Sequence, residues 1–139
     1  QWFTIELLKK LRAEGYDAVG VFAGECREPE YMTELNQKVE QYDLREHVIF
    51  LGRRNDIPDL LKMIDILIIA CDAAGAEEFI RVSRDGVTFA EDDVDSAADA
   101  VGKILEGKEQ YKKAGIEFAS QMSNREYSTK VEQIFKSIE

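Results

Sequence analysis

The sequence predicts an α/β fold, a parallel sheet with helices on both faces. Three apolar runs carry the prediction: Ala18-Val19-Gly20-Val21-Phe22-Ala23-Gly24, His47-Val48-Ile49-Phe50-Leu51-Gly52 and Asp65-Ile66-Leu67-Ile68-Ile69. Each has apolar residues at consecutive positions, as strands buried on both faces do. Between them lie stretches whose apolar residues recur every three or four positions, the helical period. Strands alternating with helices imply right-handed crossovers and a parallel sheet.

The elements follow in order. Trp2, Phe3, Ile5, Leu7, Leu8 and Leu11 mark an amphipathic helix, and Gly15 reads as its C-terminal stop. The run 18–24 is the first strand. Glu25 to Pro29 is a loop whose proline opens a helix running to about Tyr42 through Tyr31, Met32, Leu35 and Val39. Asp43 to Glu46 turns the chain into the strand 47–51. A short helix spans 56–63, with Asp56 as N-cap and Pro58 in its first turn. Asp65–Ile69 is the most hydrophobic strand. Gly75 to Arg81 reads as one or two helical turns, and Val87-Thr88-Phe89 as a short strand after the Asp85-Gly86 turn. Asp92, Asp93 and Asp95 lead into a helix with Ala97, Ala98, Val101, Ile104 and Leu105 on one face, ended by Gly107. Two further helices are expected, roughly over 108–120 and 124–138, with Tyr111, Tyr127 and Phe135 as packing residues.

Composition narrows the class. The 139 residues are 45% hydrophobic and 33% charged, ordinary for one globular domain and far from disorder. The longest apolar run, Ile66 to Cys71, is too short to span a bilayer, and the opening residues do not read as a signal peptide. A net charge of −10 argues against general nucleic-acid binding, which needs a basic face to displace counterions. A small phosphorylated ligand stays open, because a few local amides and arginines can outweigh the global field. Cys26 and Cys71 stand far apart and the chain has a single histidine, so no zinc-like cluster forms. Unclustered cysteines fit a reducing, cytoplasmic compartment.

Ligands of parallel α/β sheets bind beyond the carboxyl ends of the strands. That rule selects Gly24-Glu25, Gly52-Arg53-Arg54-Asn55 and the segment Ala70 to Ala76. Gly24 has no side chain to bar a diphosphate from the strand end, although an ordinary turn glycine would look the same. No GxGxxG follows it, so a dinucleotide fingerprint is unsupported. Arg53 and Arg54 offer rigid forks of donors for a phosphate, or planes on which a base can stack. They read equally well as solvated arginines on an acidic protein. Glu78 can accept hydrogen bonds from sugar hydroxyls or simply favour a helix start. The acids at 92, 93 and 95 lack the loop glycine and terminal glutamate of a calcium site and read as helix-start residues. His47 has no carboxylate or serine nearby in sequence to make it a general base.

In this order and spacing the residues resemble the C-terminal half of a retaining glycosyltransferase of the GT-B fold, in the family of group 1 glycosyl transferases. Val21-Phe22-Ala23-Gly24 resembles the family's strand ending in a glycine turn. Leu44 through Leu61 resembles its valine–phenylalanine–leucine–glycine stretch and the helix that follows. Asp65-Ile66-Leu67-Ile68-Ile69 resembles a further strand. Asp72 through Ile80 with Asp85-Gly86-Val87-Thr88 resembles the glycine–glutamate loop and the turn behind it.

The resemblance implies a single Rossmann-like nucleotide-sugar-binding domain over residues 1–139, one half of a two-domain enzyme whose other half is an N-terminal GT-B domain. It implies donor-binding positions at Gly24, Gly52, Arg53, Arg54, Gly75 and Glu78, with no catalytic residue, metal or cofactor of its own. The nucleotide-diphosphate sugar is a substrate; the acceptor is unassigned, and any membrane contact would belong to the other domain. Such a half would be inactive alone. Two departures stand out. The basic pair that usually holds the donor diphosphate is missing, with the first strand. So are the loop and helix with two glutamates expected between Ile69 and Asp72. The sequence is therefore expected to be a truncated or incomplete domain, and genuine loss of those parts is the alternative.

The rival reading is a non-catalytic Rossmann-like binding or interaction module. A sugar-nucleotide epimerase would need a histidine and carboxylate set where this chain has only His47. A receiver-type signalling domain would need paired acids at the first strand end, which are not visible.

Overall fold

A computed structural model of the chain describes residues 1–69 and 76–121. The described elements are α1 (Trp2–Ala13), β1 (Gly20–Ala23), α2 (Pro29–Gln41), a 3-10 turn (Arg45–His47), β2 (Val48–Gly52), α3 (Ile57–Met63), α4 (Ala76–Ser83), α5 (Val94–Glu106) and α6 (Lys108–Gln121). They fall into two compact units, one of Gln1–Ala73 with Phe89–Val101 and the other of Ala74–Thr88 with Gly102–Glu139.

The first unit is organised around α1, which carries two apolar stripes. Phe3, Leu7 and Leu11, spaced four residues apart, pack with Ala97, Ala98 and Val101 of α5. Ile5 and Leu8 pack with Leu35 and Val39 of α2 and with Leu44. Ile5, Leu7 and Leu35 are the largest fully buried side chains among the described residues. Removing one such side chain from water contributes roughly 1.5–3 kcal/mol. The helix ends as its glycine predicts: Gly15 N–H bonds to Arg12 O and Tyr16 N–H to Leu11 O, the paired bonds of a Schellman stop. Asp43 ends α2 in the same way, with φ +55° and Leu44 N–H bonded to Val39 O.

Glu6, Lys38 and Tyr42 clasp α1 to α2. Glu6 accepts from the Lys38 ammonium and, at 2.6 Å, from the Tyr42 hydroxyl. Lys38 also lies 4.0 Å from the centroid of the Trp2 ring. Partial burial pushes the Glu6 carboxyl up, but the bonds from Lys38 and Tyr42 outweigh it and leave its pKa below the ordinary value. The bond to Glu6 raises the Lys38 pKa.

β1 and β2 are parallel, as expected, with Gly20 opposite Val48, Val21 opposite Ile49 and Phe22 opposite Phe50. The register then slips, so that Ala23 faces Gly52 and Leu51 is the extra residue of a bulge. On one face Phe22 and Phe50 stack at 5.2 Å and join the cluster beneath α1 and α2. The opposite face, where helices were also expected, is the more open one among the described residues. Val21 and Ile49 point there and are 43% and 45% exposed.

Three local expectations are corrected. Asp65–Ile69 forms no ladder with another strand among the described residues. It is nonetheless held like a strand, because Ile66 and Ile68 pack against the α1–α5 cluster while Leu67 and Ile69 are exposed. Burial of Ile66 and Ile68 holds the segment in place where no ladder does. Val87–Phe89 is likewise not a strand; Phe89 stacks on Phe3 with centroids 5.7 Å apart. Finally, Asp56 precedes α3 without a side-chain cap bond. The other end-signals hold: Asp93 accepts from Ser96 N–H at 2.9 Å at the start of α5, and Asp95 pairs with Lys10.

In the second unit Phe79 of α4 meets Phe118 of α6 edge-on at 5.3 Å, and the buried Ser83 hydroxyl donates to Asp85. The helix expected over 124–138 lies outside the described residues. No described helix is long and apolar enough to cross a membrane.

Candidate functional site

The candidate site is built at the carboxyl ends of β1 and β2. Because the strands are parallel, both end on the same edge of the sheet, and the bulge at Leu51 sets Gly52 opposite Ala23, one residue before Gly24. Gly24 N–H donates to Gly52 O at 2.9 Å, so the two turns are tied through their backbones. Both glycines hold conformations that side-chain-bearing residues rarely adopt, with φ +151° at Gly24 and +62° at Gly52. A Cβ built at either position would meet no atom within 4 Å. Glycine is required there by the backbone turn, and the space beside each α-carbon is open.

Beyond Gly52 the two arginines differ. The Arg54 guanidinium grips Asp56 with two bonds, Nε to Oδ1 at 2.8 Å and Nη2 to Oδ2 at 2.5 Å. This paired geometry explains why Asp56 does not cap α3: its carboxylate is already engaged. The bonds hold the Asp56 carboxyl below its ordinary pKa and raise that of Arg54. Arg53 is exposed and has no ion pair or hydrogen bond among the described residues. Among the described residues, one unit of positive charge on this turn is uncompensated, and it sits on Arg53.

Gly75 lies outside the described residues, as do Cys71 and the segment 70–75. Glu78 belongs to the second unit, in the first turn of α4, where it takes two bonds from Arg81 at 3.0 and 2.5 Å. Its carboxylate thus serves an i, i+3 helix pair. Cys26, on the turn after Gly24, donates its thiol to Glu28 O at 3.1 Å. His47 closes the 3-10 turn before β2, at the opposite end of that strand from Gly52.

Reasoning from sequence missed Asp56 as a member of this group. The signal was available in the Arg54-x-Asp56 spacing, but an aspartate before a helix reads first as a cap.

Chemically, the edge offers backbone turns free of side chains, one uncompensated guanidinium and one guanidinium held flat by a carboxylate. These groups can bind and orient an anionic ligand. None is a nucleophile or is placed as a general base. Comparison with known families matches residues 3–72 to the model of glycosyl transferases group 1. That stretch contains α1 from Phe3 onward, β1, α2, β2, α3 and the whole edge from Gly24 to Asp56. No curated protein and no solved structure matches the chain.

Proposed function

The chain belongs to the family of glycosyl transferases group 1, and from that premise we propose that it binds the nucleotide-diphosphate sugar donor for retaining transfer of the sugar to an acceptor. The single observation behind this reading is the bond from Gly24 N–H to Gly52 O, which sets two open glycine turns side by side at the carboxyl edge of a parallel pair. Ligands of parallel sheets gather at that edge, and here the backbone is accessible to a diphosphate.

The proposed work is positional and electrostatic. Arg53 and Arg54 meet the nucleotide part of the donor beside Gly24 and Gly52. Positive charge on the Gly52 turn stabilises the negative charge that builds on the diphosphate as the sugar leaves. The donor's own phosphate takes the proton of the acceptor hydroxyl, so no protein base is needed on this edge. In this reading residues 1–139 are the Rossmann-like donor-binding domain, the C-terminal half of a GT-B enzyme, and the acceptor meets an N-terminal domain. Transfer then takes place between the two.

Isothermal titration of the protein with UDP and with GDP tests the donor assignment. Saturable binding of one of them is expected, weakened about tenfold or more by Gly24→Ala, because a methyl group enters the open turn and strains it by roughly 1–3 kcal/mol. Absence of binding by any nucleotide diphosphate or nucleotide sugar would remove the proposal.

A further inference from the structure

The helix α6 has one side packed and one side open. Phe118 meets Phe79 of α4, and Gly115 lies so close to the Asp85 side chain that a Cβ added there would come within 3.1 Å of it. The other side carries Glu109, Lys112, Lys113, Ile116, Glu117 and Ser120, which line a shallow groove. These residues recur three and four apart, so they share one helix face. All six are exposed, Ile116 to 62%. Among the described residues none of the four charges on this face has an ion pair, although Lys113 and Glu117 stand at the spacing of a helix pair.

The charges on this face are complementary to themselves. When two copies of a helix pack antiparallel about a two-fold axis, residues equally far on either side of the axis stand level, and equivalent flanks face one another. With the axis level with Gly115, Lys113 stands opposite the partner's Glu117, and Glu117 opposite the partner's Lys113. The two Ile116 side chains then meet beside the axis, each covered by the aliphatic stem of the other copy's Lys112.

We propose that the open side of α6 binds a second copy of this chain in this antiparallel arrangement. The inference goes beyond donor binding and makes no use of it. Ile116 supplies the apolar centre, and the two Lys113–Glu117 pairs fix the register. One 14-residue helix against another is a small interface, so the dimer is weak, with a dissociation constant on the order of 100 μM.

Sedimentation equilibrium of the full chain, from about 10 μM to about 1 mM, reads this association. The average mass is expected to rise from that of a monomer toward twice that value, and to rise less at high salt. Ile116→Asp sets two carboxylates beside the axis and is expected to weaken association at least about tenfold. Lys113→Glu and Glu117→Lys each replace two attractions by two repulsions, and each is expected to weaken self-association about tenfold. An equimolar mixture of these last two variants is the sharpest sample. Every facing pair in the mixed dimer is again opposite in charge, so the mixture should associate about as tightly as the unaltered protein. The substituted side chains are all exposed, and thermal unfolding followed by circular dichroism checks that each variant folds.

A monomer mass over the whole range overturns the proposal, whether the face is then bare or covered by residues 122–139 of the same chain. Association that survives Ile116→Asp overturns it in favour of another surface, such as the open sheet face at Val21 and Ile49. If the unaltered protein associates and the mixture does not, the pairing of Lys113 with Glu117 is wrong and the antiparallel arrangement falls with it.

Discussion

The two faces of the β1–β2 pair are built from the same kind of residues and end in different states. On one face Phe22, Val48 and Phe50 lie beneath α1 and α2, in a cluster where Ile5 and Leu35 are fully buried. On the other, Val21 and Ile49 stand opposite one another and are about half exposed. Leu67 and Ile69 of the segment 65–69 are exposed too, while Ile66 and Ile68 pack against the α1–α5 cluster. A strand's composition records what each face is suited to, and the packing records which face has found a partner. Apolar residues on both faces are therefore a statement about capacity, and only neighbouring elements turn it into burial.

The contrast should be visible in stability. Leu35→Ala empties a fully buried site on the covered face and is expected to cost about 2–5 kcal/mol, read from urea denaturation. A loss near zero would mean that the α1–α2 cluster does not support the fold.

A subtler effect is expected from the clasp on the same side. Glu6 has a lowered pKa, so its contribution is complete above the ordinary value of 4.5 and is lost as pH falls through the lowered one. Lys38 is shifted upward, so its share is complete below the ordinary 10.5 and is lost as pH rises through the raised value. Denaturation midpoints measured from neutral pH into the acid range should fall more steeply for the unaltered protein than for Glu6→Gln. Parallel curves would show that the clasp is not coupled to folding.

The smallest effect is expected on the open face. Ile49→Thr keeps the β-branched shape on a half-exposed position and should change stability by no more than about 0.5 kcal/mol. A loss as large as that of Leu35→Ala would show that this face is buried in solution, and the contrast between the two faces would disappear.

Much of this was legible in the residues. The four-residue spacing of Phe3, Leu7 and Leu11 gives α1, and Gly15 gives its end, because both are local consequences of helical geometry. The parallel direction of β1 and β2 followed from the helix between them, and with it the common edge for Gly24 and Gly52. What was not legible depends on partners distant in the chain. Residues 65–69 have the composition of a buried strand, yet a ladder requires a second strand alongside, which no local pattern can supply. Asp56 was ambiguous for a related reason. A carboxylate before a helix can turn inward to cap it or back to a nearby arginine, and only the three-dimensional turn at Gly52 decides.

The bulge at Leu51 sets the chain length of the ligand edge. Each strand places one residue between its stacked phenylalanine and its glycine, Ala23 in β1 and Leu51 in β2, but the register passes over Leu51, so Gly52 stands opposite Ala23 and its O takes the Gly24 N–H. Deleting Leu51 would remove the bulge and let the ladder run unbroken from Phe50 to Gly52, so the local bend that aims the following arginines would be lost. At this edge a change of length would be more disruptive than most changes of residue.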